Sequence, residues 1–476
     1  MSAGWQIVIG LECHAQLACA TKMFCACRVA SDDAPNHAVC PICLAHPGTM
    51  PALNAEAVAL GVRAAVALSC TVHPTSSFAR KHYFYPDLPK GYQITQGVHP
   101  LATDGALHVE DRRFSIRRLH LEEDAGKMVH TDEGTFVDWN RAGVPLIEIV
   151  SAPDLASAAD AEAWLRTLHA VLVEGGICHG DMEKGQFRCD ANVSVHRPGT
   201  PLGARVEIKN MNSFRHVSRA IRYEEERQTA RLDGGLPVDA ETRAWSGDHT
   251  VGLRRKEGPA DYRYLDEPDL PPLQLTPADL ASATAALPGV PLDVHLAARD
   301  RARHADWQAR YGLDEADVRV LLGVPQAARM YADAVAAGGA PREMANLVKG
   351  EVLRRINEGT LGRVEAGSLA DAAALVAQGV INREAVRTVL DVVAREGGAP
   401  AEIAQRLGLG RESDPDALRI VVTSVVAAHP DARARYRAGN RGLLGFFIGE
   451  VMAATARKAD PKLAARLVRE ALEGTS

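Results

Sequence analysis

The sequence predicts an α+β fold: strands and helices mix through the first half of the chain, and helices alone fill the second. Three observations predict it. Residues 5 to about 258 carry short β-like runs and a few helical ones, without the regular alternation that a doubly wound sheet requires. Seven prolines then fall between Pro259 and Pro291, a density suited to a domain border. Beyond them the chain turns rich in Ala, Arg and Leu, with apolar residues at helical spacing.

The β-like runs are, in order, Gln6–Ile9, Phe114–Arg117, Leu146–Val150, Ala191–Val195 and Ala204–Ile208. Between them, Asn54–Leu68 is the clearest helix, because Val58, Val62, Ala65 and Val66 share one face and Asn54 can cap it. Ala158–Val173 is a second. In the helical half, Met344–Ile356 keeps apolar residues at 344, 347, 348, 352, 353 and 356, and Ala385–Ala394 behaves similarly. A break at Gly408–Pro415 sets off a C-terminal helical piece. There is no internal repeat and no low-complexity tract.

At 476 residues the chain is expected to hold about two to four domains. Its 46% hydrophobic and 24% charged composition is that of an ordinary globular protein, and no apolar run is long enough to cross a membrane. The N-terminus enters a strand almost at once, with no basic leader. Nine cysteines, an odd number clustered early, fit a reducing cytoplasm better than a disulfide framework. The net charge of −6 argues against general nucleic-acid coating but leaves room for a local basic surface.

Four stretches carry chemistry. Cys25 and Cys27, followed by Cys40 and Cys43, make two close thiol pairs able to close a tetrahedral structural zinc site. Cys13 and Cys19 are alternative ligands, and small core cysteines without metal are the competing reading. The stretch Arg118–Lys127 places Glu122, Glu123 and Asp124 in a row after a strand. Such a cluster repels itself unless a cation sits beside it, and Mg²⁺ is commonly held by one or two carboxylates plus phosphate oxygens; the alternative is a solvated acidic turn. On the first strand Glu12 and His14 point to the same side, and acids, amides and bases recur at Arg188–Asn192 and Glu207–Asn212. Finally, Arg80–Ile94 alternates aromatics with bases between prolines, a composition suited to phosphates and to stacking. No Walker loop or dinucleotide-binding glycine motif is present.

These residues together resemble the B-type subunit of the glutamyl-/aspartyl-tRNA amidotransferase. The resemblance is carried by Ile9–His14, Arg80–Ile94, His120–Lys127, Asn140–Val150, Cys189–Val195 and Glu207–Phe214, in the family's order and spacing. Gly445–Met452 and Ala459–Pro461 resemble the family's tail signature, so the likeness runs end to end. It implies a cradle-like mixed α/β catalytic domain over 1–292 with a zinc segment at 25–43. A helical domain over 293–408 and a YqeY-like tRNA-contacting tail over 409–476 would follow. It further implies an A-type amidase subunit that releases ammonia from glutamine, a small bracing C-type subunit and a cytoplasmic location. The substrate would be tRNA misacylated with glutamate or aspartate, Glu-tRNA(Gln) or Asp-tRNA(Asn), and the non-discriminating aminoacyl-tRNA synthetase is a further expected partner.

In that chemistry ATP phosphorylates the side-chain carboxylate and ammonia displaces phosphate. Phosphoryl transfer is mainly charge neutralisation and alignment. On this basis Glu12, His14, Glu123 and Asp190 are the expected Mg²⁺ ligands, with Glu122 and Glu207 as supporting acids. Lys81, Lys90, Arg141 and Lys209 are expected to hold phosphates or the substrate carboxylate. Tyr83, Tyr92, Asn140 and Asn212 complete the expected substrate and ATP contacts. Three departures from the family pattern stand out: Cys13 between Glu12 and His14 where valine is usual, Ala45-His46 for Gly-Leu, and Ala456–Lys458 near a usual Gly-Lys. From Asp431 onward, nine Lys/Arg face five acids, which suits a phosphate backbone. A zinc-stabilised RNA-binding or assembly protein without catalysis is the rival reading, and it leaves the Glu/His/Asp collection without purpose. A relative that amidates only the glutamyl substrate carries a large insertion for which this layout has no room.

Overall fold

The computed structural model describes residues 4–29, 34–255, 259–410, 415–455 and 459–474. Residues 30–33 of the Cys-rich segment, 411–414 in the Gly408–Pro415 break and 456–458 lie outside the described residues. The chain divides into two compact units, Met1–Ala302 and Arg303–Ser476.

Among the described residues, the first unit is built on a 12-stranded sheet. Its central strands are Val206–Lys209, Phe187–His196, Gln6–Gln16, Pro145–Ser151 and Arg112–Glu123, each antiparallel to the next. Glu241–Trp245, parallel to Val206–Lys209, and Thr250–Arg255 extend one side. Tyr92–Thr95, Ala79–His82 and the short Leu265–Asp266 extend the other. Ala102–Val109 forms a hairpin with Arg112–Glu123.

Strand periodicity gives this sheet two unlike faces. Side chains alternate along a strand and cross-strand partners share a face. One face therefore collects Ile9, Leu11, Cys13 and Ala15 with Ile147, Ile149, Leu119, Leu121, Ala191, Val193 and Ile208, all buried. The helices Ala55–Ala67, Ala158–Glu174 and Phe214–Asp233 join these residues in one core, with Trp164 fully buried. Each large aliphatic side chain so buried contributes about 1.5–3 kcal/mol. The helices start where their caps sit: Asn54, Ser157 and Ser213 each accept from the first-turn backbone N–H groups. Gly61 permits close approach of helix to sheet, since a Cβ there would lie 2.8 Å from Leu121 Cδ2.

The 20-residue helix Phe214–Asp233 is not apparent from its sequence. Its buried stripe is narrow and partly polar (Val217, Ser218, Ala220, Ile221, Glu224, Gln228), and charged residues crowd the rest of its length. Buried Glu224 is held by Arg227, Gln228 and Thr250.

In the second unit, one core gathers Trp307, Val318, Tyr331, Met344, Val348, Val389 and Leu390, and another gathers Leu418, Val422, Phe447, Val451, Leu467 and Leu472. The expected Met344–Ile356 helix is interrupted. An α-helix over Pro341–Leu347 passes through a π turn, Val348–Val352, into Leu353–Asn357. Here the chain buries Arg355, whose guanidinium meets Glu351 and Asp391. Among the described residues, no helix is long and apolar enough to cross a membrane.

Candidate active site

The second face of the sheet is polar, and the same alternation makes it so. Register aligns Arg188, His14, Glu148 and His120 in one row across four adjacent strands. Two residues along, on the same face, Glu122 stands beside that row, and Glu12 pairs with Asp190 on its other flank.

The geometry at the centre of this face is tight. His14 Nε2 lies 3.4 Å from Glu122 Oε1 and 3.4 Å from Glu148 Oε2. His120 Nε2 lies 3.5 Å from Glu122 Oε2 and 3.4 Å from Glu148 Oε2. Arg118 Nη2 stands 3.6 Å from Glu148 Oε1, and the Thr95 hydroxyl donates to Glu122 Oε2 at 3.2 Å. Burial alone would lower the His120 imidazolium, but Glu148 and Glu122 outweigh it and raise its pKa to about 9. Burial likewise opposes the charge on Glu148, yet His120 and His14 hold that carboxyl well below its ordinary range.

One ligand atom each from His14, Glu122 and Glu148 lie within 4.8 Å of one another. Oxygen ligands about 2.1 Å from Mg²⁺ lie at most about 4.2 Å apart. A divalent cation therefore fits with small closure, its remaining positions open to phosphate or water. Glu148 was not among the residues expected from sequence. Its signal was a lone acid in the apolar run Pro145–Val150, on a strand whose neighbours both carry histidine.

The other expected acids lie nearby in different company. Glu12 accepts from Asn192 Nδ2 at 2.9 Å. Asp190 is ion-paired with Lys209, whose Nζ also lies 3.9 Å from Glu207, while Glu207 accepts from Thr242 at 2.8 Å. Burial opposes the Lys209 charge, but Asp190 and Glu207 raise its pKa. Asn212 is exposed, in the turn before the helix that Ser213 caps.

Glu123 is adjacent to Glu122 and turns elsewhere. It pairs with Lys90 and accepts from the Ile94 N–H at 3.0 Å. The two line a cavity of about 280 Å³ with Lys22, Cys25, Cys43, Tyr92 and Asp269. Tyr92 also carries the Arg80 guanidinium 4.5 Å above its ring. Lys81 Nζ lies 4.8 Å from the Tyr262 ring, and Tyr83 stacks on Tyr85 at 4.8 Å with Phe84 exposed between them.

Asn140 and Arg141 hold backbone. The Asn140 amide accepts from the Ala38 N–H and donates to the Ala34 carbonyl, each at 2.8 Å, fastening the Cys-rich segment. Arg141 donates to the Ala125 and Gly126 carbonyls at 2.9 and 2.8 Å. Asp124 closes this corner by accepting from Gln16 and Arg188 at 3.0 Å each.

Cys25, Cys27, Cys40 and Cys43 come together with their sulfurs within 4.8 Å of one another. The Cys40 and Cys43 sulfurs are 3.9 Å apart, close to the about 3.8 Å that a tetrahedron with 2.3 Å Zn–S bonds requires. Donation from the Cys25 thiol, the Cys40 amide and Lys22 pulls Cys43 down to about 4, while the Cys43 contact and burial push Cys25 up. Lys22, fully buried, has its Nζ 3.7 Å from Cys43 Sγ and donates to the Trp139 carbonyl at 3.3 Å. Sequence reasoning missed it, because nothing local marks a lysine as a thiolate partner.

Residues 7–281 match the family model described as the GatB/GatE catalytic domain, and residues 329–472 match the GatB domain. The chain is 43% identical to the B-type subunit of the aspartyl/glutamyl-tRNA(Asn/Gln) amidotransferase of Anaeromyxobacter sp. (strain Fw109-5), covering 99% of each protein. It is 42% identical to that of Nitratidesulfovibrio vulgaris (strain DP4), over 99% of this chain and 100% of that one. With the Picosynechococcus protein of the same name it shares 40% identity over 99% and 98%. The chain belongs to the family of B-type subunits of the aspartyl/glutamyl-tRNA(Asn/Gln) amidotransferase.

Proposed function

We propose that the polar sheet face is where the chain, as the B-type subunit of an ATP-dependent tRNA amidotransferase, converts the side-chain carboxylate of misacylated tRNA to an amide. The observation that carries this is the convergence of His14, Glu122 and Glu148 beside Arg188 and Arg118, with Lys209 paired to Asp190 further along the same face. A carboxylate is a poor acyl donor because its leaving group would be oxide. Its oxygen attacks the γ-phosphorus of ATP, forming the O–P bond as the bond to ADP breaks. Ammonia then attacks the acyl carbon, the C–N bond forms, and the C–O bond to phosphate breaks; the proton shed by nitrogen leaves with phosphate.

A bound divalent cation would supply charge neutralisation to the phosphates, and His14, Glu122 and Glu148 would hold it. Glu12 and Asp190, next along the face, would complete its surroundings. Lys209, Lys81 and Arg118 offer cations to phosphate or substrate carboxylate. Glu123 and Lys90, in the adjoining cavity, act beside rather than within this cluster. The four cysteines would hold a structural zinc, every position filled by thiolate. We read residues 1–292 as the catalytic domain, 293–408 as a helical domain and 409–476 as the tail that meets tRNA. The A-type amidase, the small C-type subunit and the non-discriminating synthetase are the proposed partners, in the cytoplasm.

The test is amide formation by the three purified subunits together with ATP, Mg²⁺ and glutamine, offering Glu-tRNA(Gln) and Asp-tRNA(Asn) separately. ATP-dependent product on either substrate supports the reading. Tight tRNA binding without ATP consumption on both would overturn it.

A further inference from the structure

We propose that His120 is a positioning residue, holding Glu122 and Glu148 so that both carboxylates present oxygen to His14 and to a divalent cation between them. The inference rests on the cation reading of His14, Glu122 and Glu148 given above. It assigns a role to a residue outside the trio whose ligand atoms lie within 4.8 Å of one another.

Three observations carry it. First, His120 is placed to do this and little else. It is buried, and its Nε2 approaches one oxygen of each carboxylate, Glu122 Oε2 at 3.5 Å and Glu148 Oε2 at 3.4 Å. Its other nitrogen, Nδ1, is buried and has no hydrogen-bond partner among the described residues. The polar contacts of this imidazole thus run through one nitrogen, to the two carboxylates.

Second, the contacts divide the oxygens. Glu122 gives Oε2 to His120 and Thr95, which leaves Oε1 facing His14. Glu148 gives Oε1 to Arg118 and turns Oε2 between the two imidazoles. The carboxylates are thus fixed in rotation as well as in position.

Third, two buried carboxylates on neighbouring strands repel each other, and a contact shared between them opposes that spreading. His120 is on the same strand as Glu122, two residues before it, and directly opposite Glu148 in register. Backbone geometry alone therefore sets the bridge. Groups that orient metal ligands in this way typically contribute 10–100-fold to metal affinity.

The test uses Mn²⁺ as probe. Its binding to the full chain, assembled with the amidase and the small bracing protein, is followed by loss of the free-ion paramagnetic resonance signal. Glu148→Gln controls for the cation site itself: if it binds Mn²⁺ as the wild type does, the underlying site reading fails. With that control weakened as expected, His120→Ala should bind Mn²⁺ about 10–100-fold more weakly. His120→Gln, whose amide nitrogen can occupy the Nε2 position, should recover part of the loss. In the same proteins the Mg²⁺ concentration for half-maximal amidation should rise while KM for glutamine stays unchanged. Melting temperatures in EDTA separate affinity from folding. Wild-type Mn²⁺ affinity in His120→Gln and His120→Ala, or a Gln variant no better than Ala when both fold, would overturn the assignment.

Discussion

Glu148→Gln is the most discriminating change in the polar face, because it removes one charge and almost no volume. Glu148 lies 3.4 Å from each of two imidazoles and 3.6 Å from Arg118. Unit charges 3.4 Å apart interact by about 5 kcal/mol at an effective dielectric of 20. Several kcal/mol of that is returned when a buried carboxylate no longer needs desolvation. The remainder, a few kcal/mol, agrees with the about 2.7–4 kcal/mol lost when one preorganised electrostatic group is deleted from an active site. The expected result is a fall of about 10²–10³ in kcat for amidation. Glutamine hydrolysis by the proposed amidase partner and binding of tRNA should be unchanged. Rapid-quench measurement of phosphate release with misacylated tRNA reads the step directly, and a melting curve excludes unfolding. Amidation within tenfold of wild type would refute the assignment of Glu148 to this centre.

Other consequences follow from the same structure. Cys25 is raised by its contact with Cys43 and by burial, and burial lifts Cys27 to about 11, so zinc entering the metal-free site displaces at least two protons. Apparent zinc affinity should rise at least about 100-fold per pH unit near neutrality. A competition titration with a chromophoric chelator measures this, and a flat profile would exclude the site. Buried His169 donates to the Gly180 carbonyl, and burial lowers its pKa below 6.5. Below that pH the unfolded chain takes up a proton that the folded one refuses, so stability falls as pH falls, by up to about 1.4 kcal/mol per pH unit. Urea melts from pH 7.5 to 5.5 should show a smaller decline for His169→Gln than for wild type. Glu224→Ala would leave Arg227, 2.6 Å away, and Arg243, 3.6 Å away, without their buried carboxylate. It should cost about 3–5 kcal/mol of stability, read from the urea midpoint.

Much of the site was legible because strand alternation is a local rule. Glu12 and His14 share a face simply by being two apart, and the four cysteines announce themselves by spacing. Glu148 and His120 were hidden for a different reason: their meaning depends on register, which sets His14, Glu148 and His120 side by side across three strands. His14 is separated from the other two by more than a hundred residues, and no local pattern encodes that pairing. The helix Phe214–Asp233 is hard to read from sequence because its buried stripe includes Glu224 and Gln228, whose burial is tolerable only beside Arg227 and Thr250. Asn140 and Arg141, expected as ligand contacts, also serve the backbone: buried backbone groups need partners, and these side chains supply them at Ala34, Ala38, Ala125 and Gly126.

The acidic run Glu122-Glu123-Asp124 shows how one sequence feature resolves into three functions. Read as a string it is either a solvated turn or a single metal site, yet all three side chains are buried. Alternation turns Glu122 toward the imidazoles and Glu123 toward Lys90 and the cysteine-walled cavity. Asp124, just past the strand end, accepts from Gln16 and Arg188 and so ties the strand end to its neighbours. Each charge has its own cation or donor, which is what makes three adjacent buried acids tolerable. The two centres are joined by the single peptide unit between Glu122 and Glu123. Loss of the Glu123–Lys90 pair is expected to reach the carboxylate facing His14 through that unit. Lys90→Met should therefore change the Mg²⁺ dependence of amidation although Lys90 reaches none of the cation's proposed ligands, and an unaltered dependence would show the two centres to be independent.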